Sequence, residues 1–150
     1  MSAKYKHNRF GKAINELSSY NVAKRKIVEL QNQRKELIEE LSSIKAIDYS
    51  KIVVQGGKSV NYAEDLHQAI EKVTKRIVQE ITKNEEKLAS INERLDRIGL
   101  FEGQVLHYYF IEMKNIEQIS RLMSWSDITI KRYKQSGLQQ YTNIMEEENG

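Results

Sequence analysis

Not one proline interrupts the 150 residues of this chain, and two of its stretches carry apolar residues at regular helical spacing. Proline is the residue that breaks helices most strongly, so its absence leaves room for long helices. In the first stretch the seam positions alternate by three and four, as in a coiled coil; Arg34 occupies one of them, and apolar residues occupy the others. These residues are Ile27, Leu30, Leu37, Leu41 and Ile44. We therefore predict a first helix from about Lys12 to Ala46.

The second stripe predicts a helix of similar length. Asn61 is a good N-cap with Glu64 three residues later, and Gly99 suits the end of a helix. The stripe slips by one position between Ile77 and Ile81, which resembles a stutter in a coiled coil. Its residues are Leu66, Ile70, Val73, Ile77, Ile81, Leu88, Ile91, Leu95 and Ile98.

Between the two stripes, residues 48–61 contain Gly56-Gly57 and predict a loop. Two long amphipathic helices joined by one loop are expected to fold back as an antiparallel hairpin, or coiled coil. One hairpin buries little apolar surface, so we expect a homo-oligomer through the long helices. The alternative is that the C-terminal segment packs along the hairpin.

Composition narrows the class of protein further. Charged residues make up 30% of the chain, and the mean hydropathy is −0.65. Cysteine is absent, no apolar run is long enough to span a bilayer, and Met1–Lys12 lacks the apolar core of a signal peptide. We expect a cytoplasmic protein with no membrane contact. Residues 1–35 hold nine Lys and Arg against two Glu, a net +7 that is compatible with nucleic acid or with a solvated helix face.

The last third of the chain predicts three shorter helices. The segment from Glu102 to Met113 is densely apolar, and Asn115 is placed to cap a second helix with one apolar face. Ser124-Trp125-Ser126 then predicts a tight turn, with Trp125 in the core. A third helix is expected from Asp127 to about Tyr141. The apolar faces of the second and third helices are Ile116, Ile119, Leu122 and Met123, and Ile130, Tyr133 and Leu138.

Three helices with a three-residue turn before the last are the arrangement of a helix-turn-helix. In that motif the third helix enters the major groove of double-stranded DNA. Side chains on its outer face read base edges, and neighbouring cations hold phosphates. The predicted DNA-binding residues are Arg121, Ser126, Asp127, Ile128, Thr129, Lys131, Arg132, Lys134 and Gln135.

The same segment resembles a known group of proteins. Val105-Leu106-His107-Tyr108-Tyr109-Phe110, Ile116-Glu117-Gln118-Ile119-Ser120 and Trp125–Tyr133 are similar to region four of bacterial sigma factors. More closely, they resemble phage and prophage regulators of the ArpU and RinA type. The motif itself covers about a quarter of the chain. The rest of the chain resembles these regulators only in its layout, a charged helical first part followed by the helix-turn-helix. It implies activation of phage late genes, with RNA polymerase as a further partner. Ser124 stands where the motif usually has glycine.

We therefore expect an all-α chain with two domains. Residues 1–99 form the hairpin with its loop at 48–61, and residues 100–150 form the helix-turn-helix with an acidic tail. No catalytic, cofactor or metal pattern is present in the sequence, so we expect a DNA-binding regulator rather than an enzyme. Two alternatives are a DNA-packaging protein like the small terminase subunits of phages and a coiled-coil interaction protein that binds no DNA.

Overall fold

The computed structural model describes the backbone of residues 9–55 and 57–150, and the side chains of residues 9–43 and 64–150. These residues form helices and no strand, so the predicted all-α fold is confirmed. A π-helical turn, His107–Ile111, follows the third helix. The α-helices are α1 (Gly11–Gln55), α2 (Gly57–Arg97), α3 (Leu100–Leu106), α4 (Ile116–Met123) and α5 (Asp127–Asn149).

The two long helices meet where the sequence predicted a loop. Helix α1 continues through residue 55 and α2 begins at Gly57, so residues 48–55 and 57–61 are helical, and Asn61 is not an N-cap. For these described residues the prediction of a loop over 48–61 was wrong, because it rested on glycine and serine content. Those residues lower helix stability by only about 1 kcal/mol each, whereas proline would have ended the helix.

The apolar seam of α2 is more regular than the sequence indicated. Thr74 is half-buried, whereas Val73 is 43% exposed and lies beside the seam. With Thr74 in place of Val73, the seam alternates by four and three without a slip, through Ile70, Thr74, Ile77, Ile81 and Asn84. The Thr74 hydroxyl donates to the Ile70 carbonyl at 2.9 Å, so this polar seam residue satisfies its hydrogen bond within its own helix. The predicted stutter is therefore absent from this part of the seam.

The chain divides into two compact units. Unit 1 combines residues 9–23 with residues 86–150, and unit 2 comprises residues 24–85. The predicted boundary between residues 99 and 100 falls inside unit 1. There α1 and α2 run antiparallel, since Glu16 pairs with Arg94 and the Tyr20 hydroxyl accepts from Asn92 at 3.2 Å. In unit 2 the same two helices are joined by Lys26 and Glu80, 3.7 Å apart.

The main core of unit 1 joins four helices and the π-helical turn. Leu17 of α1 and Ile91 of α2 are fully buried in it, together with Leu106 at the end of α3. Helix α5 enters the same core with Leu138, Tyr141 and Ile144. Tyr141 was expected to end α5, but it is fully buried and the helix continues to Asn149. The C-terminal half of α5 is therefore a core element of unit 1.

The acidic residues 146–148 belong to the last turns of α5 rather than to a tail. Glu148 accepts hydrogen bonds from Arg94 Nε at 2.9 Å and from Arg97 Nη1 at 3.0 Å. Arg94 also pairs with Glu16, which accepts from the Tyr141 hydroxyl. These arginines lower the pKa of Glu148, and burial together with Glu16 raises the pKa of Tyr141. The network ties the end of α5 to α1 and α2.

No helix within the described ranges combines the length and the apolar character that crossing a bilayer requires.

Candidate nucleic-acid interface

Helix α4 begins with a complete capping box. The Gln118 amide N–H donates to Asn115 Oδ1 at 2.8 Å, and the Asn115 amide N–H donates to Gln118 Oε1 at 2.9 Å. These two bonds satisfy backbone donors that a helix start otherwise leaves unpaired. The predicted N-cap at Asn115 is confirmed, and the start of α4 is thereby fixed in the chain.

A turn of three residues joins α4 to α5. Ser124 adopts a left-handed conformation with φ 58°, and Ser126 caps α5 by accepting from the Thr129 amide at 3.2 Å. The Ser120 hydroxyl donates to the Trp125 carbonyl, and the Trp125 amide donates to the Ser120 carbonyl at 3.2 Å. Two hydrogen bonds from one α4 residue therefore hold the turn in the shape that the sequence predicted.

A small core fixes the angle between α3, α4 and α5. One residue from each helix, Val105, Ile119 and Ile130, is fully buried in it. Trp125 covers this core as predicted, and its ring lies 4.8 Å from Phe101 and 5.0 Å from Tyr133. Val105, Ile119 and Ile130 therefore pack together beneath Trp125 as the sequence indicated.

One residue of the predicted apolar face points elsewhere. Leu122 was expected to pack with Ile119, but it is more than half exposed. A helix turns by about 100° per residue, so residues 119 and 122 lie some 60° apart around the axis. Helix α4 therefore buries only the centre of its apolar face, at Ile119, and leaves Leu122 at the side exposed.

The π-helical turn was not predicted. It ends at Ile111, whose carbonyl accepts from the Asn21 side chain of α1 at 2.8 Å. Met113 follows with φ 58°, and the Lys114 amide returns to the Tyr108 carbonyl at 2.9 Å. A π-turn inserts one residue into a helix without a recognisable sequence signature, and π-turns are frequent at functional sites. Here it brings the Ile111 carbonyl, a few residues before α4, into contact with Asn21 of α1.

Most of the predicted site residues share the exposed face of the first two turns of α5. The face lies opposite the buried Ile130, and Ile128 is 63% exposed on it. Positions 128, 131, 132 and 135 follow helical spacing, so their side chains form one stripe. All four of these residues are exposed, and Asp127 is exposed beside the stripe at the start of the helix.

The remaining predicted site residues are exposed less or already hold partners. Thr129 is half-buried, with its hydroxyl 2.9 Å from that of the exposed cap Ser126. Lys134 is half-buried, with Nζ 3.8 Å from the centre of the Tyr109 ring. Arg121 is exposed and pairs with Glu117 one turn earlier in α4. Of these residues, Thr129 is the least available to a ligand.

This surface suits an extended anionic partner better than a small molecule. Lys131 and Arg132 supply two exposed cations, and Gln135 supplies an amide donor and acceptor. Among the described residues no group of three or more His, Asp or Glu is placed to hold a metal ion. No protein-family model, no curated protein and no solved structure matches the chain.

Proposed function

We propose that the chain binds double-stranded DNA through the first two turns of α5 and acts as a sequence-specific transcriptional regulator. One observation carries the proposal. The polar, basic stripe of α5 is exposed at the end where the helix is held by a three-residue turn and a capped brace helix. Its opposite face is anchored by the fully buried Ile130. A helix held in this way presents the stripe as a rigid body to the major groove.

The exposed side chains have the chemistry of base-edge contacts. Arg132 can donate two hydrogen bonds to guanine, and Gln135 can pair in the same way with adenine. Ile128 offers an apolar contact for a thymine methyl group. Each bidentate contact contributes about 1–3 kcal/mol of discrimination between bases. These three residues are the proposed readers of sequence.

Phosphate contacts are assigned to the cations around the stripe. Lys131 is exposed, and the half-buried Lys134 has its ammonium 3.8 Å from the centre of the Tyr109 ring. To contact a phosphate, Arg121 must release the carboxylate of Glu117, so one anionic partner replaces another. Such contacts add affinity that depends on salt and not on sequence.

The biological setting of the proposal comes from the resemblance to ArpU- and RinA-type regulators. Under it, the chain activates late genes of a phage or prophage in the cytoplasm of the bacterial host. RNA polymerase would then be a second partner, as for the sigma region that the motif resembles. Recruitment of polymerase to a promoter carrying the selected site tests this part separately from DNA binding.

The experiment is selection of a binding site from random double-stranded DNA, followed by titrations of single variants. Arg132→Ala and Gln135→Ala should each weaken the selected site by roughly tenfold or more and relax one base position. Lys131→Ala should weaken selected and scrambled DNA alike and reduce the slope of log K against log salt by about one. Asn143→Ala, an exposed change three turns further along α5, is the matched control and should leave both affinities unchanged.

Two results would contradict the proposal. If the folded wild type shows no affinity for DNA even at low salt, the chain is an interaction protein whose last helices are structural. If DNA is bound but Arg132→Ala and Gln135→Ala behave like Asn143→Ala, α5 is not the reading helix. Large rings in a mass measurement would instead favour a packaging role.

A further inference from the structure

Helix α1 carries a second apolar stripe outside the hairpin seam of unit 2. Val28 and Ile38 are 53% and 44% exposed, and Gln31 and Lys35 lie between them at helical spacing, also exposed. At about 100° per residue, this stripe is turned roughly 100° from the seam residues Ile27, Leu30 and Leu37. We call residues 28, 31, 35 and 38 the lateral stripe.

The lateral stripe is complementary to itself when two copies run antiparallel. With a two-fold axis at position 33, Val28 of one copy lies opposite Ile38 of the other, and Gln31 lies opposite Lys35. The aliphatic pair and the polar pair each form twice, as a two-fold interface requires. The alternating spacing of three and four is the one by which helices pack side by side over several turns.

The charges of α1 favour the same direction. Lys24, Arg25 and Lys26 precede the stripe, and Glu36, Glu39 and Glu40 occupy its far end. An antiparallel pairing brings Arg25 of each copy beside Glu39 of the other, and it also brings Glu29 near Glu36. A parallel pairing would place like charges together, which is unfavourable. Arg25 and Glu39 are both exposed and lie on the same side of the lateral stripe, so they are the flanking pair that meets across the interface, whereas Lys26 pairs with Glu80 of its own copy.

We propose that unit 2 associates with a second copy of this chain through the lateral stripe, with α1 antiparallel to α1. The aliphatic area is small, so the dimer is of the weak class, with a dissociation constant in the micromolar range, about 1–100 μM. The inference concerns unit 2 alone and stands whether or not α5 binds DNA.

Charge reversal tests the direction of pairing. Arg25→Glu and Glu39→Arg should each raise the dimer dissociation constant roughly tenfold in sedimentation equilibrium at low salt, because each loses two ion pairs and gains two repulsions. The double variant should recover the wild-type constant. Residues 25 and 39 lie about 21 Å apart along one helix, so the recovery can only arise between copies. Glu40→Lys is the control, because Glu40 is exposed and lies 120° or more around α1 from every residue of the lateral stripe; it should change the constant much less.

Cysteine pairing gives an independent readout, since the chain contains no cysteine of its own. Under mild oxidation, a mixture of Val28→Cys and Ile38→Cys chains should form a mixed disulfide. Either variant alone should not, because its own cysteines lie about 15 Å apart across the axis. A wild type that is monomeric at roughly 100 μM would overturn the proposal, as this is the upper end of the expected range. A dimer that ignores the reversals, or that links Val28→Cys to itself, would overturn it equally.

Discussion

Gly137 lies where α5 approaches α3 most closely. A Cβ atom there would stand 3.1 Å from Leu106 Cδ1 and 3.2 Å from the Glu102 Cβ. Leu106 is fully buried in the core of unit 1, so it has no free space into which it can move. The absence of a side chain at 137 is therefore part of the packing between the two helices.

We predict that Gly137→Ala destabilises the chain. Alanine gains up to about 1 kcal/mol in helix propensity, but forcing a methyl group into a filled core costs about 1–3 kcal/mol. Gly11→Ala is the matched control, because nothing lies within 4 Å of a Cβ at that position. Urea unfolding should show a lower midpoint for Gly137→Ala and an equal or higher one for Gly11→Ala. An increase at both positions would mean that α3 moves aside.

The carboxylate of Glu148 should make the stability of unit 1 depend on pH. Hydrogen bonds from Arg94, with Arg97 nearby, hold the pKa of Glu148 below its ordinary value. The ionised form therefore stabilises the fold above the unfolded pKa of about 4.3, and this contribution is lost as the pH falls through the lower folded pKa.

We predict that Glu148→Gln lowers Tm by a few degrees near neutral pH, and that the difference from wild type shrinks as the pH falls below the unfolded pKa of about 4.3. The exposed Glu146 lies in the same turn and provides the control Glu146→Gln, which should shift Tm little at either pH. Thermal unfolding followed by circular dichroism measures both. A Glu148→Gln difference that is the same in acid as at neutral pH would show that the side chain acts through packing and not through its charge.

At the scale of the element, the turn between α4 and α5 contains a residue in an unfavourable conformation. Ser124 has φ 58°, a region that costs a residue with a Cβ about 1 kcal/mol or more relative to glycine. Its neighbours compensate, since Ser120 bonds the turn twice and Ser126 caps the next helix.

We predict that Ser124→Gly raises the free energy of unfolding by roughly 0.5–1 kcal/mol, because glycine adopts the left-handed C-cap without strain. The same substitution at Ser136, exposed within α5, should have the opposite sign and cost about 1 kcal/mol. Denaturant titration of the two variants tests the pair. Destabilisation at Ser124 would indicate that its side chain makes a contact that outweighs the strain.

Local rules explain which elements the sequence predicted well. Asn115 and Ser126 were recognised as caps because capping depends on residues within one turn, and the buried Ile119, Ile130 and Leu138 follow from helical spacing. The extension of α5 from Tyr141 to Asn149 was missed because the acidic residues 146–148 suggest a solvated tail unless their partners Arg94 and Arg97 are known. Contacts distant in sequence supply that knowledge.

The exposed surface of α5 also combines features that local sequence predicts with features that depend on distant contacts. The exposed stripe around Arg132 could be predicted, because it is the complement of a recognisable apolar face. The position of Lys134 over Tyr109 could not, because it depends on the π-helical turn that rotates the Tyr109 ring toward α5. Likewise, the network of Arg94 with Glu16 and Tyr141 joins residues up to 125 positions apart, for which the sequence has no local sign.

At the scale of the whole molecule, the two units differ in how they depend on the order of the chain. Unit 1 is discontinuous, since its core needs Leu17 from the beginning of α1 as well as Ile91 and Tyr141. A fragment of residues 100–150 would leave Leu106 and Tyr141 without these partners. It would therefore expose apolar surface and be expected to aggregate or unfold.

The division into units has a consequence for redesign of the chain. In the order of the sequence, residues 24–85 are inserted into unit 1, the unit that carries α5. The chain leaves unit 1 on α1 and returns to it on α2, and these two helices are adjacent and antiparallel there. A closing turn of about four residues between Ala23 and Glu86 matches common helix–helix connections. The shortened chain should keep the fold of unit 1, and hairpins of other lengths should be exchangeable at the same two positions.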